Sequence, residues 1–263
     1  MQTVTSTDGT RIGYERHGNG PPLVLVHGSS GTHESWNPIV PQLSDDFTLI
    51  VPDRRGRGYS GDADAYSLDR EVADLRAVLD DIDGEATVFG HSFGGLLALA
   101  ATEEISFDRL VLYEPAVLVD EFRGDDLAAR MQQQLDAGAR EKAMKLFYRD
   151  AGGVPAPTQL PFWPEEVPFG LVETVIRENE AVETYELPEA PAIECPTLLL
   201  TGEEGPEHLR AAIHALTNRV PQHQLVEFEG IGHVGVQSAP DTVANAVRSF
   251  CHDTERESVQ DRF

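Results

Sequence analysis

The sequence predicts an α/β protein built on a mostly parallel sheet with helices on both faces, and three observations carry that expectation. Short apolar β-type runs alternate with helical patterns along most of the chain. The run Leu23-Val24-Leu25-Val26 is continuously apolar, as a strand covered on both faces is. With 263 residues, the chain is long enough for one medium-sized domain with a full core and an insertion.

Taken in order, Thr3 to Glu15 reads as an antiparallel hairpin turning at Asp8-Gly9. Leu23 to Val26 is the first buried strand, ending at His27-Gly28, and Phe47 to Val51 is the next, ending at Pro52-Asp53. Leu68, Val72, Leu75, Leu79 and Ile82 recur at helical spacing and form one apolar face to lay on the sheet. Ala86 to Phe89 is a strand and Leu96 to Ala101 a helix, followed by the strand Leu110 to Tyr113. From about Leu118 to Glu194 no strand is expected; helical patterns surround a proline-rich middle, Val154 to Pro168. The alternation then resumes with the strand Thr197 to Leu200, a helix over Leu209, Ile213 and Leu216, the strand Gln224 to Phe228, and a helix over Val243, Val247 and Phe250. The expected division is a core of 1–117 and 195–251, a helical cap or lid of 118–194, and a polar tail, 252–263, that frays. Phe147, Tyr148, Phe162, Trp163 and Phe169 of the cap are candidates to line a pocket, although for any single one of them the cap's own core is the favoured place.

Composition narrows the setting. Residues 1–20 are polar, without the basic-then-apolar pattern of a signal peptide. No apolar run approaches the roughly 20 residues that span a bilayer. Cys195 and Cys251 do not make a disulfide framework, so a reduced, cytoplasmic protein is expected. Forty-five acidic residues face 20 basic ones, a formal charge of −25, and Lys142 and Lys145 are the only lysines. This balance resembles proteins from cells that hold molar internal salt, where a Debye length of about 3 Å screens self-repulsion and carboxylates keep the surface hydrated. An ordinary acidic protein is the alternative. Either way, nucleic acid and anionic membranes are excluded as partners, because both require a basic footprint.

The chemistry centres on Gly90-His91-Ser92-Phe93-Gly94, which lies between a strand and a helix. G-x-S-x-G in that context is a nucleophile elbow, whose sharp turn lifts the serine hydroxyl above the sheet edge. The turn is crowded, so Gly90 and Gly94 must lack side chains, and Gly95 lets the helix pack close. A serine needs a base to take its proton. Of nine histidines, His233 has the right context, a glycine-rich loop (Glu229 to Val234) between the last strand and last helix. His27 and His91 are read as structural, and the other histidines as lying in surface-like segments. No pair has convincing metal-ligand spacing, so no metal is expected, and serine hydrolysis of this kind requires no cofactor. An acyl-transfer intermediate also needs oxyanion donors. The N–H of Phe93, next after the nucleophile, is one; the N–H of Ser29, in the loop Ser29-Ser30-Gly31, is the other.

His27-Gly28, the segment Asp53 to Ser60, the elbow and Gly232-His233 together resemble the α/β-hydrolase superfamily over nearly the whole chain. The resemblance implies an eight-stranded sheet, a helical cap after strand six, and a Ser–acid–His triad in that chain order. It also implies that Asp53 and the arginines after it brace the loop beside the elbow. In the family the acid usually follows strand seven in a segment resembling Gly-x-x-Asp. Here that segment reads Gly202-Glu203-Glu204-Gly205, with glycine in the aspartate's place. The superfamily also uses the end of strand six, as in some haloalkane dehalogenases, and Glu114 stands there. The expected triad is therefore Ser92, His233 and Glu114, with Glu203 or Glu204 as alternative acids. The expected function is hydrolysis of a small or medium carboxylic ester through an acyl-enzyme. Carbon–carbon bond hydrolysis or a lyase reaction on the same triad is the alternative, marked by arginines such as Arg54 or Arg57 in the pocket. A ligand-binding protein with a weak or vestigial triad is the third reading.

Overall fold

The computed structural model of the chain describes residues 1–160 and 163–260, with 253–260 described by backbone alone. Eight strands form one sheet: β1 (Gln2–Thr5), β2 (Arg11–His17), β3 (Pro22–Val26), β4 (Thr48–Pro52), β5 (Thr87–His91), β6 (Arg109–Tyr113), β7 (Thr197–Gly202) and β8 (His223–Phe228). Their spatial order is β1-β2-β4-β3-β5-β6-β7-β8. The hairpin β1–β2 is antiparallel and joins β4 antiparallel, while every pairing from β4 to β8 is parallel.

The strands that read as continuously apolar are covered on both faces. Side chains alternate across a strand, so β3 sends Val24 and Val26 to one layer and Leu23 and Leu25 to the other. The first layer is closed by α2 (Leu68–Asp80), α3 (Phe93–Ala101) and α7 (Glu207–Thr217), through Val72, Leu75, Leu96, Ile213 and Leu216. The second is closed by the short α1 (Val40–Leu43) and by α9 (Pro240–Gln260), through Leu43, Val243, Val247 and Phe250. Ser67 caps α2, its side chain accepting the Arg70 N–H, which satisfies one of the amides that a helix start leaves open. The helix α9 continues through Gln260, over positions where the polar sequence led us to expect fraying; residues 261–263 lie outside the described residues.

Between β6 and β7 the chain leaves the sheet and makes α4 (Leu127–Asp136), α5 (Arg140–Asp150) and α6 (Val172–Thr184). Their apolar faces share a separate core of Leu127, Met131, Met144, Phe147, Val172, Val175 and Ile176. A last short helix, α8 (Gly235–Ser238), follows the loop that carries His233.

The topology positions the site. Strand order reverses at β3: the connection from β3 leads outward to β4, whereas β5 lies on its other side. The carboxyl ends of β3 and β5 therefore diverge and open a crevice above the sheet, where ligands bind in folds of this type. The loops after β3, β5, β6 and β8 carry Ser29, Ser92, Glu114 and His233 respectively.

Candidate active site

Ser92 follows β5 with φ at +56° and ψ at −121°, then hands over to α3. Few non-glycine residues take a positive φ, and holding one there costs roughly 1–3 kcal/mol. The crowding expected around it is present. A Cβ at Gly90 would lie 2.4 Å from the Gly94 oxygen, and one at Gly94 would lie 2.1 Å from the Val26 oxygen. A side chain at either position would push the elbow off the sheet. At Gly28, a Cβ would come within 2.9 Å of the Ser92 Cβ, so the loop after β3 also needs a glycine to run beside the serine.

Ser30, Ser92 and Glu114 are three of the four described non-glycine residues at positive φ; the two serines line the cavity, and Glu114 lies buried behind His233. Glu114, at +42°, turns off the end of β6 and is fully buried. Its Oε1 accepts the Gly202 N–H at 2.9 Å and the Thr201 hydroxyl at 3.0 Å. Its Oε2 accepts the His233 Nδ1–H at 2.8 Å. Burial pushes this carboxyl up, but the His233 bond and charge and the Gly202 and Thr201 donors outweigh it, leaving it below the ordinary carboxylate value.

Gly205 accounts for the unusual sequence after β7. A Cβ there would lie 2.0 Å from Oε1 of Glu114. The space in which a strand-seven aspartate would begin is filled by the carboxylate arriving from β6. Glu203 and Glu204, the alternative acids, are exposed, and Glu203 Oε2 accepts the Gly230 N–H at the foot of the histidine loop. Neither has a described hydrogen bond to His233.

The histidine loop is held by its backbone. Tyr113 donates its hydroxyl to the Gly232 oxygen at 2.6 Å, and His91 donates Nε2–H to the His233 oxygen at 2.8 Å. Burial, with the neighbouring His233, drives the His91 pKa down to about 3, so His91 is a neutral strut. His27 is likewise neutral and fully buried, its Nδ1–H on the Gly28 oxygen and its Nε2 accepting the Arg54 N–H. Both fit the structural role read for them. His33 and His208 depart from the surface reading. His33 is buried against Asp53, because that carboxylate must satisfy the His33 and Tyr59 amides and takes the imidazole too. His208 lines the cavity, because α7 begins beside it.

The serine, His91 and His233 open onto a cavity of about 830 Å³. Ser29, Ser30, Gly31 and Ser35 form one wall, and residues of α4, α5 and α6 roof it. Of the cap aromatics, Phe147 and Tyr148 face the cavity, and so does Phe122, which sequence reasoning did not single out. Trp163 and Phe169 pack instead into the cap's own core, while Phe162 lies outside the described residues. Arg54 and Arg57 are absent from the lining. Arg54 binds Glu71 and Glu178, and Arg57 binds Glu178, all four side chains being buried. Their charges are already spent, so no substrate carboxylate can claim them. Among the described residues no group of three or more His, Cys, Asp or Glu side chains is placed to hold a metal, and no helix is long and apolar enough to cross a membrane.

The chain is similar in sequence and structure to known hydrolases over most of its length. An alpha/beta hydrolase from Sphaerobacter thermophilus superposes with a TM-score of 0.83 at 35% identity, covering 95% of this chain and 99% of that one. Lipase LipV of Mycobacterium tuberculosis is 29% identical, over 89% of this chain and 95% of the relative. The putative carbamate hydrolase RutD of Pseudomonas syringae is 27% identical over the same shares. The pattern of the Alpha/beta hydrolase family matches residues 23–246, and the chain belongs to that family.

Proposed function

We propose that this protein is a serine hydrolase that cleaves a small or medium uncharged carboxylic ester through an acyl-enzyme. The observation that carries the reading is the buried Glu114 carboxylate on Nδ1 of His233, in one cavity with an elbow serine. A carboxylate on Nδ1–H holds the ring in the tautomer whose Nε2 lone pair is free to accept a proton. In this reading Nε2 takes the Ser92 proton while Oγ attacks the ester carbonyl. The oxyanion is received by the N–H groups of Phe93 and Ser29. The tetrahedral intermediate collapses, and the alkoxide leaves with the proton from His233. Water then attacks the acyl-enzyme with His233 again as base, releasing the acid and restoring Ser92. No step draws on a cofactor. Residues 118–194 act as the lid whose inner surface selects the substrate.

The lining supports an uncharged substrate. Five carboxylates (Glu121, Asp125, Asp150, Glu166, Glu183) face the cavity, while its single arginine, Arg123, is bonded to Glu186. An anionic substrate would lose its hydration without a cation to replace it. This weighs against the carbon–carbon hydrolase reading, whose substrates need a carboxylate anchor. The ligand-binding reading rested on the missing strand-seven acid, and Glu114 now fills that space.

A fluorophosphonate probe and two p-nitrophenyl esters of equal acyl length, one ending in methyl and one in carboxylate, test the proposal in molar KCl. Wild type should label, Ser92→Ala should not, and the carboxylated ester should lose about tenfold or more in kcat/KM. Labelling that persists in Ser92→Ala, or no turnover of any neutral ester, would overturn it. The acidic composition supports a salt-adapted origin, hence the KCl.

A further inference from the structure

The loop after β3 is anchored from below by two arginines. Arg54 Nη1 donates to the Gly28 oxygen and Arg57 Nη1 to the Gly31 oxygen, each at 3.3 Å. His27 Nδ1–H reinforces the Gly28 oxygen at 2.8 Å. In a trans peptide the C=O and the following N–H point in opposite directions. Drawing the Gly28 carbonyl down towards Arg54 and His27 therefore turns the Ser29 N–H the other way, towards the cavity that Ser29 lines. Arg54 also lies over the Phe93 ring, 4.1 Å from its centroid, so Arg54 touches both the residue before Ser29 and Phe93 itself.

What holds the arginines is Glu178. Its Oε1 accepts from Arg54 Nη2 at 2.7 Å and from Arg57 Nη2, while Glu71 takes the other side of Arg54 at 2.6 and 2.8 Å. Two buried positive charges are balanced by two buried negative ones, and Glu178 is the carboxylate that reaches Arg57. It is fully buried and stands on α6, in the cap, so the cap supplies a charge the core loop requires. The network is not fully satisfied: Arg57 Nε and Glu178 Oε2 are buried without a partner among the described residues. Buried ion pairs are often no more stabilising than a well-packed apolar contact, so their presence between cap and core is weak evidence of a purely stabilising role.

We propose that Glu178 is a positioning residue that couples the seating of α6 to the orientation of the oxyanion-loop peptides, acting through Arg54 and Arg57. The cavity roof and the loop are then one unit. When α6 lifts, Arg54 and Arg57 both lose the Glu178 carboxylate, so the Gly28 and Gly31 carbonyls lose part of their anchorage and the Ser29 N–H, opposite the Gly28 carbonyl, loses its aim. The oxyanion role of that N–H rests on the hydrolase reading above; the mechanical coupling does not.

Two readouts on Glu178→Gln separate these claims. Amide hydrogen exchange across 27–31 should accelerate by about tenfold or more, because the loop opens locally without unfolding. With a turned-over ester, kcat should fall about tenfold while KM stays within about twofold, since a misaimed donor is lost in the transition state. Met131→Ala, deep in the cap core and away from the loop, serves as a control: it should lower the melting temperature yet leave exchange at 27–31 near wild type. Where Glu178→Gln fails to fold, Glu178→Asp, which keeps the charge but shortens its reach, should show the same changes at smaller size. Unchanged exchange at 27–31 in a folded Glu178 variant, or an equal rise in Met131→Ala, would overturn the coupling. If the wild type hydrolyses no ester, the hydrolase reading fails, and the exchange comparison still decides the coupling.

Discussion

Replacing Glu114 by glutamine tests the site most sharply, because the surroundings dictate how the amide must sit. The Oε1 position receives two donors, the Gly202 N–H and the Thr201 hydroxyl, and a backbone N–H cannot be turned into an acceptor. The amide oxygen is therefore held there, and the NH2 group must take the Oε2 position, 2.8 Å from His233 Nδ1. Facing a donor, Nδ1 has to become an acceptor, and the ring proton moves to Nε2. That tautomer cannot accept the Ser92 proton. Shape and volume are preserved, so binding should persist while turnover collapses, with kcat down by about 10³–10⁴ and KM little changed. Glu203→Gln and Glu204→Gln should stay within about threefold of wild type, as surface changes do. Steady-state hydrolysis of a neutral ester in molar KCl reads all three variants. Retention of a tenth or more of kcat in Glu114→Gln, or collapse in Glu203→Gln or Glu204→Gln, would refute the assignment.

The glycine after β7 gives a second handle. Gly205→Ala leaves Glu114 in place but sets a methyl 2.0 Å from its Oε1, so the carboxylate must move and kcat should fall about 10²-fold or more. Combining Glu114→Ala with Gly205→Asp should recover part of the activity lost in Glu114→Ala alone; equal rates for single and double variants would argue against shared space. Acid should destabilise the fold early. His27 and His91 stay neutral when folded, with pKa values below the 6.5 of a free ring, so below pH 6.5 the unfolded chain binds protons that the native one refuses. Stability then drops by about 1.4 kcal/mol per pH unit for each histidine. Glu114, lowered from 4.5, adds its loss only further down, as the pH falls through its native value. Urea midpoints at pH 7, 6 and 5 check this, and a constant midpoint would contradict it. Finally, a chain of net charge −25 should lose structure on dialysis from molar KCl into dilute buffer, where screening is withdrawn. Equal melting temperatures in both would remove the salt-adaptation claim.

Much of the molecule is local, and local features are legible in a sequence. Strands covered on both faces must be apolar throughout, which is why β3 to β7 could be read to within a residue or two. The elbow is equally explicit, since only glycine survives 2.1–2.4 Å from backbone at positions 90 and 94. His233 was recognisable from its glycine-rich loop between a strand and a helix. Long-range partnership was less visible. The resemblance marked the arginines after Asp53 as braces but not their partners: Arg54, Arg55 and Arg57 are buried, because Glu71, Asp74 and Glu178 arrive from 17 to 124 residues away to neutralise them. The cap aromatics could not be sorted into cavity and core, because an apolar periodicity says that a face is covered but not by what. The missing aspartate after β7 and the glutamate after β6 are each plain in the sequence. That the two are one fact, a carboxylate from one strand occupying the room vacated on the next, depends on the parallel register that lays Tyr113 beside Leu200. Chain-local sterics and periodicity wrote the elements and the elbow turn; the pairing of charges across distant segments was settled by packing, which alone decides which groups share a space too small for both.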